Sequence, residues 1–164
     1  MQPGKPQGFG VLGKRKVPVF TLPGNPVSTL VSYAVFVRPA LLRRAGRTEE
    51  HEEATGLALT SWSSSSGRET YSRVRLSRDE TGVYAVEPAG GAGSHLLGGL
   101  ASADALAVVP ADEDSVEAGS EVRLLLLRPR AEIDGRLAAE QAAGRAAEEA
   151  AAEASGEDRD GAGE

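Results

Sequence analysis

The sequence predicts an α+β chain in three parts. These are a strand–loop–helix unit over residues 1–47, a small all-β barrel-like domain over 48–129, and an Ala/Glu-rich tail over 130–164, helical or disordered. Three observations predict it. A short β-branched run, VPVF (Val17–Phe20), passes through the Pro-framed turn LPGNPVS into an apolar stretch with helical spacing. Short β-rich segments then recur between Gly- and Ser-rich turns, the pattern of a small barrel or sandwich. Beyond Pro129, Ala and charged residues replace most large apolar side chains.

VPVF reads as a buried strand with no neighbouring strand in sight. The helix VSTLVSYAVFVRPALLRRAG follows, with Leu30, Val31, Ala34, Val35, Leu41 and Leu42 on its apolar stripe. Arg43 and Arg44 suit its last turn, and Gly46 suits the position just past it. Pro39 lacks a backbone donor, so it must kink the helix or restart it. At the other end Pro26 fits the first helical position and Asn25 the N-cap. Gly24 permits a positive φ or the close approach of another group. Such a turn aims free N–H groups at one spot, with the positive end of the helix dipole behind them. It is either an anion site or a plain strand-to-helix connection.

Five segments read as the strands of the second part: GLALTSW (56–62), ETYSRVRLS (69–77), VYAVEP (83–88), DALAVVP (104–110) and SEVRLLLL (120–127). SSSSG, RDETG, AGGAGS and EDSVEAG read as turns between them. SHLLGGLASA is one helical turn or a loop. From Leu137 to Ala154 there are 10 Ala among 18 residues, which favours helix. The closing SGEDRDGAGE reads as disordered.

The bulk numbers exclude several classes. The chain has no Cys, so it makes no disulfide and no thiolate metal site. The 35 residues from Arg130 hold 4 Arg and 10 Asp or Glu, a balance of −6 that equals the net charge of the whole chain. The rest is neutral and shows no basic face for nucleic acid. No apolar run is long enough for a membrane span, and the start has no signal-peptide core, so a cytoplasmic protein is expected. Two His without clustered carboxylates do not suggest a metal site. His51 sits in the acidic run TEEHEE and reads as solvated. There is no P-loop motif and no spacing that argues for a Ser-His-Asp hydrolase.

Three stretches in order carry a resemblance: PGKPQGFG (3–10), VPVFTLPGNPVSTLVSYAVFVRPAL (17–41) and GSHLLGGLASADALAVVP (93–110). Together they resemble the C-terminal part of the MoeA-like molybdopterin molybdenumtransferases, a family related to the second half of gephyrin. The resemblance covers roughly residues 1–128. It implies that residues 1–47 are the end of an α/β molybdopterin-binding domain and residues 48–129 the family's last, β-barrel-like domain. The family's other domains have no counterpart here, so the chain resembles an N-terminally truncated fragment, expected to be inactive alone. Family members insert molybdate into adenylylated molybdopterin with release of AMP, assisted by Mg2+. The resemblance implies that pterin nucleotide substrate, with Mg2+ and molybdate whose ligands lie outside this chain. It also implies a homodimer in the full-length protein. A non-catalytic pterin-binding or protein-interaction module is the alternative.

On the matching positions, Lys5 is the cation for a phosphate, or a surface lysine on a turn. Relatives often carry a further lysine where Gln2 stands. Gly24, Asn25 and Ser28 form the rim of the ligand cleft, with Asn25 serving there or as a cap alone. Ser28 donates to a phosphate or to the backbone. Ser94, in the loop GGAGSH, is the ligand contact implied from the β domain, and His95 is a loop residue beside it. No catalytic residue is assigned.

Overall fold

The computed structural model describes residues 1–47, 52–65, 67–79, 81–90 and 102–160. They divide into two compact units, Met1–Arg128 and Pro129–Glu164.

The first unit opens with an antiparallel hairpin, β1 (Gly8–Leu12) and β2 (Val17–Thr21), in which Phe9 faces Phe20 and Val11 faces Pro18. Gly13 (φ +67°) and Lys16 (φ +50°) take left-handed conformations to close its turn. VPVF is therefore a strand, but it has a neighbour and is not buried; only Phe20 is half-covered. Sequence pattern marked a β-branched run, and such a run is compatible with a solvated hairpin as well as with a core strand.

One helical run follows. It comprises α1 (Pro26–Ser32), a π-helical turn (Tyr33–Val37) and α2 (Arg38–Arg44). Pro39 explains the π turn: it cannot donate to the carbonyl four residues back and its ring crowds that carbonyl, so the ladder widens ahead of it. Gly46 ends the run with φ +70°, its N–H donating to the Arg43 carbonyl at 3.1 Å and that of Arg47 to Leu42 at 2.9 Å.

Five strands then close into a barrel in the order β3 (Glu53–Ala58), β6 (Tyr84–Pro88), β5 (Thr70–Arg78), β7 (Ala105–Val109), β9 (Glu121–Leu126). The contacts are antiparallel except where β3 meets β6. A separate small pair, β4 (Trp62–Ser63) with β8 (Ser115–Val116), lies outside the barrel. The expected strand 56–62 is thus broken between Ala58 and Trp62, and the expected turn EDSVEAG contains β8. The physical reason is pairing: Ala58 N–H donates to Ser120 while Trp62 pairs with Val116, two partners that no single straight strand reaches.

β7 is buried along its whole length. Alternation puts Ala105, Ala107 and Val109 on one face, with Leu124 and Leu126 beside them on β9. The other face carries Leu106 and Val108. These cluster with Tyr71 and Leu125 against Val31 and Ala34 of the helical run. The helix is the outer cover of the barrel there. The chain start is fastened to the same wall: Gln2 N–H donates to Glu69 at 2.9 Å and Tyr71 N–H to Gln2 at 2.8 Å.

Gly56 is where the barrel shuts. A Cβ there would stand 2.6 Å from Val86 Cγ2 and 2.7 Å from the Tyr84 carbonyl oxygen. Only a residue without a side chain lets β3 approach β6 that closely.

The second unit is the helix α3 (Arg130–Asp160), with an Arg136–Glu140 ion pair at 2.7 Å across one turn. Ser155–Asp160, expected to be disordered, are helical, because no proline interrupts a strongly helix-favouring run. Among the described residues no helix is long and apolar enough to cross a membrane.

Replacing Gly56 by Ala should lower unfolding free energy by about 1–3 kcal/mol, since the clash involves backbone that cannot rotate away; urea denaturation measures it. An unchanged midpoint would mean that β3 and β6 do not meet as described. A second expectation concerns Tyr71, whose hydroxyl donates to Glu69 Oε1 at 2.5 Å. Burial, then that hydrogen bond and the Glu69 charge, push its pKa well above 10.0. The phenol resists ionisation more in the fold than in the unfolded chain. Its stabilising contribution is therefore complete below pH 10.0 and is lost as pH rises beyond it. Thermal melts on both sides of that pH should show the loss, and Tyr71→Phe should make it shallower.

Candidate functional site

The Pro-framed corner sits between β2 and α1. Asn25 is its N-cap: Oδ1 accepts from the Val27 N–H at 3.0 Å and from the Ser28 N–H at 3.2 Å. Pro26 has no N–H, and the Thr29 N–H donates to the Asn25 carbonyl at 2.9 Å. Every early backbone donor of α1 is thereby used. The sequence reading had free N–H groups aimed at one spot; the Asn25 carboxamide occupies them instead. Thr29, which sequence reasoning passed over, locks the turn further. Its hydroxyl donates to the Pro23 carbonyl at 2.5 Å and lies 2.9 Å from that of Asn25. A hydroxyl residue four positions after an N-cap is the signal that was available, since such side chains bond back to the preceding turn.

The corner is nonetheless open. Gly24, Asn25 and Pro26 are exposed, and a Cβ at Gly24 would meet no atom within 4 Å. Gly24 does not take a positive φ and nothing in the described residues approaches it. The group that Asn25 leaves facing outward is the nitrogen of its carboxamide, a neutral donor. Ser28 is buried in the first turn.

Lys5 is exposed, between two cis X-Pro bonds, Gln2–Pro3 and Lys5–Pro6. Its neighbour Gly4 (φ +150°) is buried against α1, where an added Cβ would lie 3.5 Å from Ser32 Oγ. Ser32 is the last residue of α1 and Asn25 the cap before its first. Seven residues at 1.5 Å each put about 10 Å of helix axis between them. Lys5 and the corner therefore share one helix but stand at opposite ends of it. The hydroxyl of Ser32 is fully buried and makes no hydrogen bond.

Ser94 and His95 lie outside the described residues. The loop that carries them leaves and returns beside one strand. The Ala89 N–H donates to Arg73 at 2.8 Å, and the Asp104 N–H to Val74 at 2.9 Å. The buried carboxylate of Asp104 also accepts from the Leu76 N–H at 2.9 Å. Both feet of that loop are thus held by β5. Among the described residues no group of three or more His, Cys, Asp or Glu lies together as a metal site requires.

A closed five-stranded barrel, covered on one wall by a capped helix whose Pro-framed start stays open, defines a β-barrel module fused to the end of a strand–loop–helix unit. Residues 55–127 match the family model for the MoeA C-terminal region (domain IV). The chain belongs to the MoeA family and carries that domain. Two curated relatives come from Mycobacterium tuberculosis. Molybdopterin molybdenumtransferase 1 is 41% identical over 132 residues, covering 77% of this chain and 31% of the relative. Molybdopterin molybdenumtransferase 2 is 38% identical over 125 residues, covering 76% and 30%. The fold is similar to that of a molybdopterin biosynthesis MoeA protein from Pyrococcus horikoshii, with 30% identity and a TM-score of 0.63 over 77% of this chain and 30% of that one. The chain therefore spans less than a third of the length of these relatives.

Asn25 as a cap makes a stability expectation. Asn25→Ala should cost about 1 kcal/mol in chemical denaturation, whereas Asn25→Asp, an equally good cap, should cost far less. Equal losses for both would show that the carboxamide does more in the fold than cap α1.

Proposed function

We propose that this chain supplies the C-terminal part of a molybdopterin molybdenumtransferase and acts in molybdenum cofactor biosynthesis. The reaction is insertion of molybdate into adenylylated molybdopterin with release of AMP. The match of the barrel to the MoeA C-terminal region carries this reading. The exposed corner at Gly24–Pro26, beside the domain so matched, supports it.

In this reading the corner positions the anionic substrate by the Asn25 carboxamide N–H and the α1 dipole behind it. Lys5 holds a phosphate as a flexible point charge from the other end of the helix. Ser28 shapes the first turn beneath the corner, and Ser94 reaches the ligand from its loop. Mg2+ supplies charge neutralisation at the phosphates and molybdate is the inserted substrate. The described residues offer neither a carboxylate cluster, so this chain binds and orients the nucleotide and leaves the cation to the rest of the enzyme. The full-length enzyme works as a cytoplasmic homodimer.

The test is a chimera in which residues 1–128 replace the matching region of the M. tuberculosis molybdopterin molybdenumtransferase 1. It should release AMP from adenylylated molybdopterin when molybdate and Mg2+ are present. Asn25→Asp keeps the cap but exchanges a donor for a negative charge. It should slow that release at least tenfold, about 1.4 kcal/mol of transition-state binding, without lowering the melting temperature. A folded but inactive chimera would refute the assignment, and an undiminished Asn25→Asp rate would remove the corner from it.

A further inference from the structure

All three phenylalanines of the chain converge on one cleft. Phe9 and Phe20 stack across the hairpin with ring centroids 5.0 Å apart and planes at 51°. Phe36 faces them from the π turn, with Leu22 and Ala40 beside it, around a cavity of about 530 Å³. The apolar surface does not stop at the cleft. Phe9, Val11 and Leu12 are 68%, 62% and 69% exposed, Val17 and Val19 are exposed on the facing strand, and so is Leu41 on α2. Leu41 was expected on the buried stripe of the helix; α2 buries none of its residues.

Two features favour a polypeptide over a small ligand as what covers this surface. Exposure extends along every residue of β1 and nearly all of β2, so both faces of the hairpin are bare, and a ligand filling the cleft would cover only one. Among the described residues the two strands pair only with each other, which leaves each with an open edge of N–H and C=O groups. An open edge flanked by apolar side chains is what an added strand requires. The relatives indicate which polypeptide. They match this chain over about three quarters of its length, yet more than two thirds of each relative lies outside the match.

Resting on the family reading above, we propose that the β1–β2 hairpin and the Phe9–Phe20–Phe36 cleft form the docking face for that remaining part of a molybdenumtransferase. It adds a strand to the hairpin edge and fills the cleft with apolar side chains. The face works in trans as well as within one chain, because its contacts are edge hydrogen bonds and apolar burial rather than covalent linkage. The cationic turn Lys14–Arg15–Lys16 at the hairpin tip selects an acidic surface on the incoming piece.

The experiment mixes this chain with a recombinant M. tuberculosis molybdopterin molybdenumtransferase 1 from which the matched region has been deleted. Light scattering after gel filtration should show a one-to-one complex, and amide exchange should slow in β1 and β2. Phe9→Asp with Phe36→Asp should weaken binding at least tenfold, while far-UV circular dichroism and the melt of the barrel stay unchanged. Two outcomes overturn the proposal even with a folded double variant. One is no complex with the wild-type chain; the other is a complex that the variant forms equally well. A wild-type homodimer that the same substitutions break would assign the face to a second copy instead. Protection of the cleft by adenylylated molybdopterin alone would make it a ligand pocket. The chimera assay does not depend on docking in trans, so failure here leaves the catalytic assignment standing, and an inactive chimera leaves the docking result standing.

Discussion

The outer wall of the barrel is apolar, and that one constraint organises the first unit. Tyr71, Leu106, Val108 and Leu125 project from three adjacent strands on the side away from the interior. Left in water, such a patch would forfeit most of the gain from forming the sheet, at about 25 cal/mol per Å² of apolar surface. Val31 and Ala34 cover it. Once they do, the azimuth of α1 about its own axis is settled. The face opposite Val31 must look outward, and the start of the helix, with Asn25, is held in place against the barrel. The Gln2 bridge to β5 adds a second attachment, so the Lys5 loop is referenced to the same wall. A ligand corner and a β domain that are separate in sequence thus become parts of one rigid frame.

Capping then changes the chemistry of that corner. Proline at the first helical position removes one donor, the Asn25 carboxamide absorbs two more, and the first helical bond absorbs the next. A helix start stripped in this way still carries its dipole but no longer offers a nest of bare amides. Selectivity at the corner accordingly comes from a side-chain nitrogen and from the shape left by Gly24, both of which respond to substitution, where backbone amides would not.

How much of this was legible in the residues depends on the range of the interaction. Alternation in YSRVRLS and EVRLLL showed β5 and β9, because period two is a local property. Asn25, Pro26, Pro39 and Gly46 each act within one turn of themselves, and each does what its chemistry requires. β1 was not legible: GFGVL has two glycines in five residues, and its strand character comes from pairing with VPVFT across the turn. Barrel closure at Gly56 was not legible either, since the reason for that glycine is Val86, thirty residues away in sequence. Helical spacing correctly grouped Val31 with Ala34 and also grouped Leu41 with them. Periodicity states which residues share a stripe, but cannot state how far along the helix the cover extends. Of the site residues, the corner was legible as a cap. The separation of Lys5 from it was not, because it depends on which turn of α1 the Gly4 backbone touches.

The contrast between barrel and hairpin follows from the same arithmetic of covering. Each barrel strand has two sheet neighbours, and β7 also has an apolar layer on either face, so opening it exposes interior and wall together. The hairpin has one neighbour per strand and no layer on either face; a two-stranded ribbon in that condition is marginal in water. Its sequence is nevertheless rich in the residues that gain most from burial, Phe, Val and Leu, rather than the Thr, Lys and Glu that a permanently solvated ribbon would carry. Local stability must therefore fall from barrel to hairpin in the chain as described, while the composition of the hairpin is that of an element inside a larger sheet. A sequence whose apolar content exceeds what its own fold can cover is complementary to a surface beyond that fold. The unused burial energy is then available to bring the ligand corner and its missing counterpart together.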